Sequence, residues 1–158
     1  MPDTARRLVY VTVFLSAMIL FWWLILPEGP SVESGWTVES VVDGDTIDVS
    51  RDGVTETVRL IGIDTPEREQ CGYQEASDFL SETVLGQEVT LLGGATTDRD
   101  TYGRLLRYVE FGGLDVGLAQ IAEGFAIARY DSRTDQPHPR EDLYREADDA
   151  TEHICGLE

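Results

Sequence analysis

The sequence predicts an α+β fold: a small twisted β-barrel with helices packed against it. Three observations carry that reading. Short stretches of alternating or β-branched apolar residues recur on both sides of a helical segment, Arg51-Asp52-Gly53 marks a tight hairpin between two of them, and three segments space their apolar residues at helical intervals. The chain has 158 residues, 42% of them apolar, which suffices for one domain with a real core but not for two plus a membrane segment.

The first element stands apart from the rest. Residues 8–26 (LVYVTVFLSAMILFWWLIL) carry no charge and would extend about 28 Å as a helix, enough to cross a hydrocarbon core. Arg6 and Arg7 precede this run, so the positive-inside rule places residues 1–7 in the cytoplasm and everything after Pro27 on the extracellular side. A transmembrane signal-anchor is therefore expected at 8–26. The alternative is a cleaved signal peptide with secretion of the remainder, although no A-x-A-like site follows Leu26. Residues 27–35 are rich in Pro, Gly, Ser and Glu and read as a linker, which leaves a domain at 36–158.

Within the domain, alternation predicts strands at 36–42 and 46–49, interrupted by Asp43-Gly44-Asp45, and a third at 55–63 after the hairpin turn. Two more follow at 89–92 and 107–111. Helical spacing links Ala76, Phe79, Leu80 and Val84, then Leu114, Leu118 and Ile121, then Leu143, Ala147, Ala150 and Ile154. The order is three strands, a helix, two strands and two helices.

Charge limits the possible partners. The chain holds 30 acidic residues against 12 basic ones, all of them Arg, for a net charge of −18. Proteins that grip phosphate backbones are ordinarily cationic. At ~1 M salt, however, the screening length shrinks to about 3 Å, so global repulsion fades while close Arg–phosphate contacts survive. An acid-rich, lysine-free surface suits a halophile. Cys71 and Cys155 both fall in the exported part, where an oxidising compartment permits one disulfide; two free buried thiols are the other possibility.

The residues that carry chemistry lie in three short blocks: Val42-Asp43-Gly44-Asp45-Thr46, Arg59 through Asp64-Thr65-Pro66-Glu67, and Asp100-Thr101-Tyr102-Gly103-Arg104. Asp43, Asp45, Asp64 and Glu67 offer hard oxygen donors, which suit calcium or magnesium rather than zinc, and the two histidines, His138 and His153, are remote in sequence. Arg59 lies in an apolar strand, where alternation puts it on one face with Ile61 and Ile63. A guanidinium there is costly unless it serves an anionic partner or a nearby acid. Acids for a hard cation, two guanidiniums for phosphate oxygens and a spare carboxylate are what metal-assisted phosphodiester hydrolysis requires.

The pattern VVDGDTIDV, VRLIGIDTPE, DRDTYGRLLRYV and AEGFA, in that order from about Trp36 to the C-terminus, closely resembles the staphylococcal nuclease (thermonuclease) family. The resemblance implies an OB-fold five-stranded β-barrel with three packed helices. It also implies a calcium-dependent endonuclease that attacks DNA, with RNA as a second substrate, releases the 5′-oxygen and leaves 3′-phosphate ends. By the same resemblance Asp45 and Asp64 bind Ca2+ through their carboxylates and Thr65 through its backbone carbonyl, with Asp43 and Asp100 in support. Arg59 and Arg104 hold the scissile phosphate and Glu67 positions or deprotonates the attacking water. Tyr102 lies near the nucleotide phosphate and Tyr130 packs against the base, a sequence-tolerant contact. A monomer is expected. The chain departs from the family in several places: the segment after Glu67 is short and acidic rather than lysine-rich, Thr101 replaces a lysine, a second base-packing tyrosine falls near Ser132, and no Trp occurs near the C-terminus. A catalytically weak nucleic-acid-binding or calcium-binding module of the same barrel fold is the alternative function.

Overall fold

In a computed structural model, residues 31–157 are described, together with residues 18 and 29. The expected anchor at 8–26 lies outside the described residues except for Met18. Among the described residues no helix is long and apolar enough to cross a membrane.

In chain order the elements are β1 (Val32–Asp43), β2 (Thr46–Arg51), β3 (Val54–Leu60), β4 (Ile63–Asp64), α1 (Tyr73–Val84), β5 (Glu88–Leu92), β6 (Leu105–Phe111), β7 (Leu114–Asp115), α2 (Val116–Ala122), β8 (Ile127–Ala128), α3 (Glu141–Asp149) and a final 3-10 turn, Ile154–Gly156. The five long strands pair in the order β3-β2-β1-β5-β6, and a parallel β3–β6 pairing joins the two ends into a five-stranded barrel. Short β7 is appended to β6. Register shifts in β1, between Val38 and Ser40 and between Val41 and Asp43, bend that strand around the barrel. Three helices cover it, giving the α+β architecture expected from the sequence.

The β2–β3 hairpin shows why the sequence turns where it does. Asp52 (φ 52°) and Gly53 (φ 80°) both take positive φ, as a two-residue turn matched to the strand twist requires, and Arg51 pairs with Val54. Alternation then brings Ile47, Val49, Val58, Val38, Leu91 and Val109 into the barrel interior, all essentially inaccessible to solvent. Each such side chain contributes about 2 kcal/mol of apolar burial.

Four local expectations are corrected. The domain begins earlier than Trp36, because Val32 and Glu33 pair with Leu92 and Leu91 of β5, so part of the supposed linker is strand. The strand predicted at 55–63 breaks at Ile61-Gly62: Gly62 has φ 79°, and a Cβ there would come within 2.6 Å of the His138 ring. Consequently Ile61 and Ile63 are buried in the core while Arg59, flanked by buried Val58 and Leu60, faces outward to the barrel mouth. Leu114 belongs to β7 rather than to the second helix, and that helix starts at Asp115, whose carboxylate caps the Leu118 N–H at 3.1 Å. In α3 the buried residue is Tyr144, not Leu143, because its hydroxyl reaches Asp115 at 2.9 Å.

Cys71, just ahead of α1, and Cys155, in the final turn, form a disulfide across a sequence separation of 84 residues.

Candidate active site

Barrel closure assembles the site. In the parallel β3–β6 pairing Arg59 lies opposite Leu106 and Val58 opposite Leu105, so Arg104, one residue before β6, arrives at the same barrel mouth as Arg59. On the other side of β3, Thr46 pairs with Arg59 and its hydroxyl accepts from Arg104 Nη1 at 3.4 Å. Two guanidiniums 45 positions apart in sequence therefore share one ledge.

Asp45 sits at the start of β2 and is buried, which raises its pKa to about 6 against the opposing pull of Arg59. Its carboxylate ion-pairs with Arg59 Nη1 and accepts from the Thr65 amide at 3.2 Å and the Thr65 hydroxyl at 3.0 Å; Thr46 donates to its other oxygen at 3.1 Å. Asp43 accepts from the Asp45 amide at 3.2 Å and so shapes the turn that presents Asp45. Asp64 lies 3.4 Å from Arg59 Nη2, and one guanidinium thus bridges both carboxylates. Although paired with Asp45, the buried Nη1 of Arg59 has no well-directed hydrogen bond among the described residues. Asp100 accepts from the Arg104 Nε at 2.6 Å and from the amides of Arg104 and Tyr102, each at 2.9 Å. Partial burial works against ionisation of Asp100, but these donors outweigh it and lower its pKa.

Arg59, Asp45, Asp43, Glu67, Asp100, Tyr102, Arg104 and Tyr130 all line a cleft of about 600 Å³. Among the described residues no three Asp, Glu, His or Cys side chains form a metal cage. Arg59 engages one oxygen of Asp45 and one of Asp64.

Residues 57–157 match the family model described as staphylococcal nuclease homologue. The chain is 32% identical over 144 residues to a thermonuclease of Staphylococcus intermedius, covering 83% of this chain and 81% of that protein. The chain belongs to the staphylococcal nuclease family. A thermonuclease of Staphylococcus hyicus is 36% identical over 104 residues, or 62% of this chain and 61% of that one. The endonuclease YncB of Bacillus subtilis (strain 168) is 35% identical over 100 residues, 60% of this chain and 47% of that one, so this relative matches over only part of its length.

In this member of the staphylococcal nuclease family Glu67 lies on the exposed turn after Pro66. Its amide bonds to Gln70 at 2.7 Å, while its carboxylate has no partner among the described residues. Tyr102 is 83% exposed, with its ring 5.4 Å from the Arg104 guanidinium carbon. Tyr130 lies 5.7 Å from that of Arg59 and donates to Asp64 at 3.2 Å. Its φ of 56° is rare for a bulky residue, a strained backbone held at the cleft wall. Ser132 does not reach the cleft; it donates to Glu141 at 2.8 Å.

Two residues of the site region were missed from sequence. Gln120 of α2, fully buried, donates through Nε2 to the Gly44 carbonyl at 2.6 Å and the Ala76 carbonyl at 3.1 Å, tying the Asp43-Gly44-Asp45 turn to α1. An amide beside apolar Ile121 and Val116 was the only signal, and its partners are 44 and 76 positions away in sequence. His138, remote from the acids in sequence, lines the same cleft, with Nδ1 2.7 Å from the Tyr108 hydroxyl; burial lowers its pKa.

Proposed function

We propose that this staphylococcal-type nuclease is a calcium-dependent endonuclease acting on DNA, with RNA as a second substrate. The observation that carries the reading is the convergence, in one cleft, of Arg59 and Arg104 with Asp45 and a carboxylate, Glu67, that no other described residue engages, while Asp64, outside the cleft lining, reaches the site through Arg59. A binding module has no need of an unengaged acid in the same cleft as two guanidiniums.

The donor set fits a hard cation. Asp45 and Asp64 would supply carboxylate oxygen and Thr65 a backbone carbonyl, hard donors of the kind that calcium takes. Bound there, the ion would polarise the phosphodiester and neutralise charge that builds up on its oxygens. The chain's own groups do the rest. Arg59 and Arg104 present fixed N–H donors to the phosphate oxygens and stabilise the five-coordinate transition state. Glu67 accepts the proton of a water whose oxygen bonds to phosphorus as the bond to the 5′-oxygen breaks, and the departing 5′-oxygen takes a proton from solvent, leaving a 3′-phosphate and a 5′-hydroxyl. Asp100 and Thr46 hold Arg104 at its post. Tyr102 and Tyr130 offer ring faces to bases of any identity.

The uncharged run at 8–26, preceded by Arg6 and Arg7, supports membrane anchoring with the catalytic domain on the extracellular side. The test is cleavage of plasmid and single-stranded DNA by the full chain in detergent, with calcium and then with chelator. Calcium-dependent cutting with 3′-phosphate products is expected, whereas binding without cutting in calcium would leave only the binding module.

A further inference from the structure

A second cavity, of about 490 Å³, lies on the far side of residues 129–135 from the catalytic cleft. That segment is the dividing wall: Tyr130 and Asp135 face the cleft, while Arg129, Arg133 and Thr134 face the second cavity. We propose that this cavity is a nucleotide subsite in which Arg129 binds the phosphate next to the scissile one, so that a single strand runs from the cleft over the wall. The proposal takes the identity of the strand from the nuclease reading above.

Charge is the first argument. In a chain of net −18, the cavity is lined by two arginines, Arg129 and Arg133, against a single acid, Asp148, which His153 engages at 2.9 Å. Most other arginines of the described domain are already committed. Arg51 and Arg107 pair with Glu33, Arg99 with Glu56, Arg140 with Glu110 and Asp115, and Arg145 with Asp131. Arg68 has no partner among the described residues but lines neither cavity. Arg129 differs from all of these. Its side chain is 47% exposed, and its ion pair is a loose 3.7 Å contact with Asp64 Oδ2.

Placement is the second argument. The other oxygen of Asp64 is the one that faces Arg59. The two guanidiniums therefore flank one carboxylate, Arg59 on the cleft side and Arg129 on the far side, and an anion held by each would lie a short step apart along a strand. Thr134 adds a hydroxyl, and Ile127 and Leu157 give the cavity an apolar wall for a sugar or base. Arg133 is braced by Asp131 and the Ala128 carbonyl, which holds the floor in place.

The experiment compares wild type, Arg129→Ala and Arg129→Lys as full chains, by fluorescence anisotropy in chelator, where cutting is blocked. The probes are a labelled thymidine dinucleotide and a strand of about eight nucleotides, within the range that barrel domains of this kind cover. For the longer probe, Arg129→Ala should raise Kd about tenfold and make the slope of log K against log salt shallower by about one, with partial recovery in Arg129→Lys. The loss should be confined to that probe. Equal Kd for wild type and variant, or equal loss on both probes, would overturn the subsite. Calcium-dependent cutting by wild type with an unchanged Kd in the variant would sink the subsite and keep the nuclease; an Arg129-dependent Kd without any cutting would do the reverse.

Discussion

Arg59 concentrates what the site demands of single residues. It emerges between Val58 and Leu60, both buried, and its guanidinium reaches two carboxylates at once. Replacing Arg59 or Arg104 by Ala should lower kcat by about 10²–10³-fold, the usual cost of losing one preorganised donor to transition-state charge. Initial-rate assays check this, with melting temperature as a control for folding. Glu67 has a separable role because it is exposed and its carboxylate is unengaged. Glu67→Gln should cost about 10²–10⁴-fold in kcat with little change in KM. A mild loss would move the base elsewhere in the cleft. Arg59 was legible in the sequence as a charge inside an apolar strand, whereas Glu67, ordinary in its Asp-Thr-Pro-Glu loop, was singled out by the family resemblance. Gln120 was not legible, since its significance lies in the Gly44 carbonyl it reaches from another element. Gln120→Leu, nearly equal in volume, removes those two bonds and leaves the Gly44 carbonyl unpaired. It should loosen the Asp43-Gly44-Asp45 turn and, on the calcium-dependent reading proposed above, raise the calcium concentration needed for half-maximal kcat.

At the level of elements, the site depends on short connections held by buried charge. Asp131, 1% exposed at its side chain, anchors the wall between the two cavities through Arg133 and Arg145. Its burial opposes ionisation, yet hydrogen bonds from Arg145 and Arg133 prevail and hold the pKa well below the usual carboxylate range. The folded value is depressed, so the stability it contributes is fully present above the unfolded value near 3.9 and is lost as pH falls through the folded value. Asp131→Asn should cost about 3 kcal/mol at neutral pH, and the gap between the two unfolding midpoints should narrow as pH falls below about 3.9. Urea titrations at pH 7 and near pH 2 measure the cost and its narrowing. Strand and helix existence was read correctly from periodicity, while several boundaries were not. The break at Ile61-Gly62 is imposed by His138 packed against Gly62, and α3 buries Tyr144 because Asp115 receives its hydroxyl. Neither partner is visible within a local window of sequence.

For the whole molecule, two global properties should be measurable. The Cys71–Cys155 bond spans a sequence separation of 84 residues, and losing its constraint on the unfolded chain corresponds to about 4.5 kcal/mol. Reduction, or a Cys71→Ser and Cys155→Ser double variant, should lower the urea midpoint accordingly. The net charge of −18 opposes approach of any polyanion. Raising ionic strength from ~0.01 M to ~0.1 M shrinks the screening length from about 30 Å to about 10 Å, so kcat/KM on long DNA should rise across that range. A monotonic fall would show that the two cleft guanidiniums, Arg59 and Arg104, outweigh the global field. By itself the sequence determined the fold class, the order of the long strands and helices and the anomaly of Arg59, because turn chemistry, period and buried charge are local properties, while the family pattern pointed to the other acids and arginines. Only the tertiary structure decided that Arg59 and Arg104 share a ledge, that Gln120 braces the Asp45 turn and that Arg129 opens on a second cavity. Those relations arise from the parallel closure of β3 on β6 and from the packing of α2 and the 129–135 segment against it, contacts between parts of the chain far apart in sequence.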